Sequence, residues 1–300
     1  MKVVYGHTDS IYVKIDSIEK AKEIVKEVND HVQKIFPNVF GLEQHPVDLE
    51  FEKYYSTLGV GTVKNRNAGL ISWEDGRFLD EQEFIMTGFA AKRVSQTPLE
   101  RIIQTKVLKM WVGKKSLEEI NTFLHFEYKE ILNPLIRKPI TWVVKRSRLK
   151  KNRFIVQCSC GKKYDVDPSS ENSIYDTTFC YKCGESKSTF KTLKGKRPTF
   201  GEGVAGILYG REMLGRTYED SFLFVKVDSL DSFTNPLTGE MRKVEYVAET
   251  NMEALKNYEI DWHYYANKII SKAEPIYKAM GWDTSSIVSG RIQSSLEEWW

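Results

Sequence analysis

The chain has 300 residues, 41% of them hydrophobic and 28% charged, with a formal net charge of +3. That is enough for one large or two moderate domains with real cores, and it excludes a disordered chain. No apolar run approaches the roughly 20 residues that cross a bilayer, and the first residues read as a strand instead of a signal peptide, so no membrane is expected and the cytoplasm is the expected compartment.

Val3-Val4-Tyr5-Gly6-His7-Thr8-Asp9-Ser10-Ile11-Tyr12-Val13 reads as strand, tight turn and strand, with Gly6 in the turn and apolar residues alternating at Ile11, Val13 and Ile15. Such a hairpin holds the Asp9 carboxylate on a rigid tip. A two-metal phosphoryl-transfer site needs that rigidity, because its cations are fixed about 3.5–4 Å apart. Asp16-Ser17-Ile18-Glu19 is a capped helix start, and Ile18, Ala21, Ile24, Val25, Val28, Val32 and Ile35 keep one apolar face until Pro37. Val47 to Lys53 alternates strictly and is expected to form a half-buried strand. Asn65-Arg66-Asn67 between Val63 and Ala68 has the composition of a polar turn.

Thr97-Pro98 opens an amphipathic helix with Leu99, Ile102, Ile103, Val107, Leu108 and Trp111, and Leu117 to Ile131 is a second helix. Between Ile131 and Tyr164 the chain has no acidic residue but carries Lys145, Arg146 and Arg148 among ten basic ones. Ser186 to Gly201 is a second acid-free stretch. Charge concentrated in this way points to contacts with a phosphate backbone. Phe222 to Val227 reads as a buried strand, and Trp262 to Met280 as a final helix that tolerates Pro275 only with a kink or break.

All four cysteines fall in one segment, Cys158-Ser159-Cys160-Gly161 and Cys180-Tyr181-Lys182-Cys183-Gly184. Two tight pairs, each with a glycine directly after it, suit the knuckles of a zinc ribbon with a closed, structural four-cysteine site. The loop has little apolar content, so Zn2+ would supply most of its folding energy. Two disulfides are the competing reading, which a reducing cytosol disfavours.

The opening hairpin resembles the Tyr-Gly-Asp-Thr-Asp-Ser element, motif C, of family B DNA polymerases. The order of the later segments strengthens the resemblance. Lys64-Asn65-Arg66-Asn67-Ala68-Gly69 is similar to the family's Lys-Lys-Arg-Tyr-Ala-Gly, and Gly88-Phe89-Ala90-Ala91-Lys92-Arg93 to its closing strand ending in Lys-Arg. The likeness thins over roughly 150–195 and returns at Arg197-Pro198 and Glu259 to Tyr265.

The resemblance implies an α+β chain: a partial palm with an antiparallel sheet and packed helix over 1–97, then a mainly helical thumb over 98–292 with the ribbon inserted at about 154–190. It implies that Asp9 binds Mg2+, with Thr8 beside it. His7 stands at the auxiliary position of the family's first aspartate, where imidazole is a poor ligand for so hard an ion. Lys64, Arg66 and Gly69 would lie along the primer–template duplex, helped by Lys92 and Arg93. Asn65 and Asn67 replace a lysine and a tyrosine of the family, which takes away one charge and one aromatic anchor.

The family's motif A aspartate and its nucleotide-gripping lysine precede motif C. The chain is therefore expected to act only with a large polymerase subunit that carries them, as the small subunit of a split archaeal-type enzyme using deoxynucleotides. The end of the sequence, Gln293-Ser294-Ser295-Leu296-Glu297-Glu298-Trp299-Trp300, resembles the clamp-binding box of replication proteins. There Leu296, Trp299 and Trp300 would plug a sliding clamp and Gln293 would fix the register. The competing expectation is a non-catalytic polymerase remnant that binds DNA and the clamp as an accessory protein.

Overall fold

The chain opens with β1 (Lys2–His7) and β2 (Ser10–Lys14), which pair antiparallel with Gly6 opposite Ile11 and His7 opposite Ser10. Gly6 is thus a strand residue and not the turn. The pairing persists to His7 and Ser10.

The computed structural model describes residues 2–7, 10–36, 38–43, 45–63, 65–93, 95–149, 154–167, 179–193, 201–228, 231–234, 239 and 241–292. Thr8, Asp9, Lys64 and the tail residues Gln293, Leu296, Trp299 and Trp300 lie outside them. The architecture is α+β, its sheets small and antiparallel. Among the described residues no helix is long and apolar enough to cross a membrane. The chain divides into two compact units, Met1–Lys92 with Gln104–Phe123 and Ala273–Trp300, and Arg93–Ile103 with Leu124–Lys272.

In the first unit, α1 (Ile18–Ile35) starts where the Ser17 side chain accepts the Lys20 N–H at 3.2 Å. It buries Ile18 and Ala21. The strictly alternating run before Lys53 is not a strand. The Asn29 side chain of α1 accepts the Leu49 N–H at 2.8 Å and donates to the Leu49 carbonyl at 2.9 Å. A backbone satisfied that way has nothing left for a neighbouring strand. Phe51 stacks on Trp73 with centroids 4.4 Å apart.

The sheet of this unit runs β3 (Lys53–Val60), β4 (Asn67–Glu74), β5 (Arg77–Thr87), with β4 central. β4 contributes Ala68, Ile71 and Trp73 to the core, and β3 supplies Gly59, where a Cβ would stand 2.4 Å from the Trp111 ring. The expected closing strand at Gly88–Arg93 is instead a turn and a 3-10 helix, Ala90–Lys92. Gly88 has φ +72, which breaks the extended backbone, and the Ala91 N–H is taken by the Gln104 side chain at 2.6 Å.

Helix α2 (Pro98–Val112) begins in a capping box: the Thr97 N–H donates to Glu100 at 2.8 Å and the Glu100 N–H to the Thr97 hydroxyl at 3.1 Å. The next helix is α3 (Leu117–Leu132). In the second unit, β6 (Lys145–Arg148) precedes β7 (Phe154–Gln157), β8 (Lys163–Val166) and β9 (Lys191–Thr192), which form a small sheet of their own in the order β8-β7-β9. Helix α4 (Glu202–Leu214) comes after the ribbon.

The main sheet of this unit is completed by β10 (Ser221–Lys226), while β11 (Ser232–Thr234) and β12 (Met241–Lys243) form a separate hairpin and β13 (Tyr246–Glu249) flanks β10, giving the order β13-β10-β6. Leu149, Ile207, Tyr218, Phe222, Phe224 and Ala248 form its core. α4 lies close to β13 because Gly206 and Gly210 face it; a Cβ on Gly206 would stand 3.1 Å from the Ala248 nitrogen. α5 (Met252–Leu255), α6 (Trp262–Met280) and α7 (Ser285–Ser289) are the last helices described, and α6 runs through Pro275 unbroken.

Candidate metal and nucleic-acid sites

The hairpin and the polar loop after β3 are joined through Tyr5 and Asn65. The Tyr5 hydroxyl donates to Asn65 Oδ1 at 3.1 Å and accepts the Asn65 backbone N–H at 3.0 Å. Asn65 has φ +63, a conformation asparagine tolerates better than most side chains. Tyr5 also packs against Tyr12, and Tyr12 against Tyr55, with centroids 5.5 and 5.9 Å apart. These rings pack the two hairpin strands against each other and against β3.

Arg66 is half-buried in the same loop, its carbonyl accepting the Gly61 N–H at 2.8 Å. Gly69 is buried in β4 beneath the Tyr55 ring, where a Cβ would stand 2.5 Å from a ring carbon. It makes room for that ring and offers no exposed surface. Lys92 and Arg93 are exposed.

The basic segment resolves into distinct roles. Lys145 is committed to Glu202 at 2.6 Å, its side chain only 12% exposed. The Tyr264 hydroxyl donates to the other Glu202 oxygen at 3.2 Å. Burial works against the Glu202 charge, but the Lys145 bond outweighs it and holds the carboxyl below its ordinary range. Arg146 and Arg148 are exposed two residues apart on edge strand β6, so they face one side.

The four cysteine sulfurs lie within 4.8 Å of one another and could hold a metal ion. Each knuckle is closed by its glycine: the Gly161 N–H donates to the Cys158 carbonyl at 2.9 Å and the Gly184 N–H to the Cys180 carbonyl at 2.7 Å. Cys158 and Cys183 stand 3.4 Å apart, Cys160 and Cys180 3.7 Å, well beyond the roughly 2.0 Å of a disulfide bond.

Burial pushes the Cys158 thiol up to about 12. At Cys180 burial is outweighed by the Tyr164 hydroxyl, which donates to Sγ at 2.8 Å, and by the Lys182 and Cys183 amides, so that thiol falls to about 6. Four sulfurs this close can all be thiolates only around a cation. Neither Tyr164 nor Tyr5 was legible as a site residue from its spacing, since each is one tyrosine among fifteen.

Residues 1–159 match the model of DNA polymerase family B. No curated protein sequence matches the chain.

Proposed function

Because the chain belongs to DNA polymerase family B, whose members are DNA-directed nucleotidyltransferases that use Mg2+, we propose that it is the C-terminal part of such an enzyme, working as the small subunit of a split archaeal-type polymerase in the cytoplasm. In this reading 1–97 complete the palm, 98–292 form the thumb with its zinc ribbon, and 293–300 bind a sliding clamp. A large subunit contributes motif A and the fingers.

The observation that carries the reading is the hairpin. Thr8 and Asp9 join its strands, while Val3, Val4 and Ile11 on those strands are 54%, 44% and 57% exposed. Beside it a cleft of about 710 Å3 is lined by Ile11, Val13, Ile24, Val28, Phe51 and Leu58. Apolar surface of that kind on and beside the two strands that flank Asp9 in sequence suits a palm finished by another chain.

Asp9 and an acid from the large subunit would hold Mg2+, whose charge would favour the ionised primer 3′-hydroxyl as nucleophile at the α-phosphorus and the departure of pyrophosphate. Arg66, Arg146 and Arg148 would lie along the duplex backbone, with Lys64, Lys92 and Arg93. The four cysteines would hold Zn2+ in a closed, structural site.

Primer extension with this chain, the large subunit and both together tests the reading. Synthesis should require both. Asp9→Ala should abolish it in the assembled enzyme, while His7→Ala should leave much of it. Normal synthesis by the Asp9→Ala complex would leave the accessory role, in which the chain only tethers DNA and clamp.

A further inference from the structure

The ribbon has an outer face that its metal centre does not use. Its interior is filled by Val156, Val166 and Phe190, all at most 1% exposed, and Phe190 stacks on Tyr164 at 5.2 Å. Cys180 points inward, fully buried, yet its neighbours Phe179 and Tyr181 are 58% and 68% exposed. Tyr181 meets the Tyr164 ring edge-on with centroids 5.3 Å apart, yet most of its surface and most of that of Phe179 is left in water.

Their surroundings are cationic. Lys162 Nζ lies 5.0 Å over the Tyr181 ring, and Lys182, next in sequence to Tyr181, is exposed. The acid of the same knuckle, Glu185, is drawn inward to the Ser159 hydroxyl and the Cys158 thiol. Exposed rings interleaved with lysines match the chemistry of an unpaired nucleic-acid strand: bases offer π-faces to the rings and phosphates meet the ammonium groups. In a duplex those faces are taken by stacking and pairing, so the same surface has little to offer it.

We infer that the ribbon is a binding site for single-stranded DNA, with Phe179 and Tyr181 as stacking platforms and Lys162 and Lys182 as phosphate contacts. The inference rests on the zinc-ribbon reading and assigns that ribbon a ligand. It is separate from the duplex contacts proposed for Arg146 and Arg148.

The test uses the full chain, titrated by fluorescence anisotropy into a labelled oligothymidylate and, in parallel, a blunt duplex. Tyr181→Leu and Phe179→Leu keep apolar bulk but remove the π-face. Each should weaken single-strand binding about tenfold and duplex binding less than twofold. Tyr181→Phe should bind like the parent chain, and Lys162→Ala with Lys182→Ala should flatten the salt dependence for the single strand alone.

Unchanged single-strand affinity in both leucine variants would overturn the inference, as would equal losses for single strand and duplex. Capture of a protein on this face with no response to the oligonucleotide would do so too. Zinc content and melting are measured on the same samples, so failure of the metal site and failure of the DNA site are separate results.

Discussion

The Tyr5 hydroxyl is donor and acceptor at once toward Asn65, giving its proton to Oδ1 at 3.1 Å and taking the backbone N–H at 3.0 Å. The residue that resembling family sequences fill with lysine is here an asparagine whose αL backbone and side-chain carbonyl both serve this contact. Lysine could not replace it, having no acceptor. The asparagine gives up the charge a lysine would carry and ties this loop to the opening hairpin.

Tyr5→Phe removes both hydrogen bonds and leaves the ring. It should lower stability by about 1 kcal/mol in urea unfolding. In the assembled polymerase it should lower kcat more than it raises KM for the deoxynucleotide, because the primer end loses its register against the metal site. An unchanged kcat would mean that the tie is only structural.

Gly88→Ala is expected to cost more. Gly88 has φ +72, and a Cβ there would stand 1.8 Å from the Asn65 carbonyl oxygen. Strain and collision together should remove about 2 kcal/mol or more from the urea unfolding free energy. Gly76→Ala is the comparison: its φ is +89 but no atom lies within 4 Å of the added carbon, so only the backbone cost, about 1 kcal/mol, should appear.

Glu100 makes stability depend on pH. Burial opposes its charge, but the Thr97 N–H and the Lys272 ammonium at 3.1 Å outweigh that and hold the carboxyl below its ordinary value of 4.5. Since the folded value is the lower one, its stabilisation is present above the unfolded pKa and is lost as pH falls through the folded one. Melting temperature measured from about pH 5 to pH 3 should therefore fall less steeply in Glu100→Gln than in the parent chain. Parallel slopes would show that the carboxylate is not what the acid limb reports.

Removing zinc should unfold the ribbon and little else. A strong chelator should release one zinc per chain, expose four thiols to a thiol reagent and change tyrosine emission through Tyr164 and Tyr181, with recovery when the metal returns. The binding free energies of such sites, roughly 10–16 kcal/mol, exceed what so small an interior supplies. Two oxidised pairs and no metal would refute the site.

Periodicity made α1, α2 and α3 legible, because each carries its apolar face within its own sequence, and start residues at Ser17 and Thr97 helped for the first two. The cysteine centre was legible for a similar reason, its spacing being local. Val47 to Glu52 was not, since the group that satisfies Leu49 sits on α1, twenty residues away. Pro275 does not break α6: Ala273, Ile276 and Tyr277 are buried around it, and Tyr277 donates to Asn121 at 3.0 Å. Packing on both sides of the proline outweighs the one backbone bond it lacks. Lys145 counted as a free cation in the sequence, and only folding brings Glu202 to it across 57 positions.

That last pairing has a mechanical side. Lys145 lies at the start of β6, Glu202 opens α4, and the whole ribbon is threaded between them. Their ion pair closes a span of chain that holds all four cysteines, and Leu149 and Ile207 belong to one core. Between that ion pair and the cysteines β6 pairs residue by residue with β10, so strain carried along the chain from Cys158 meets the hydrogen bonds of the sheet before it reaches Lys145.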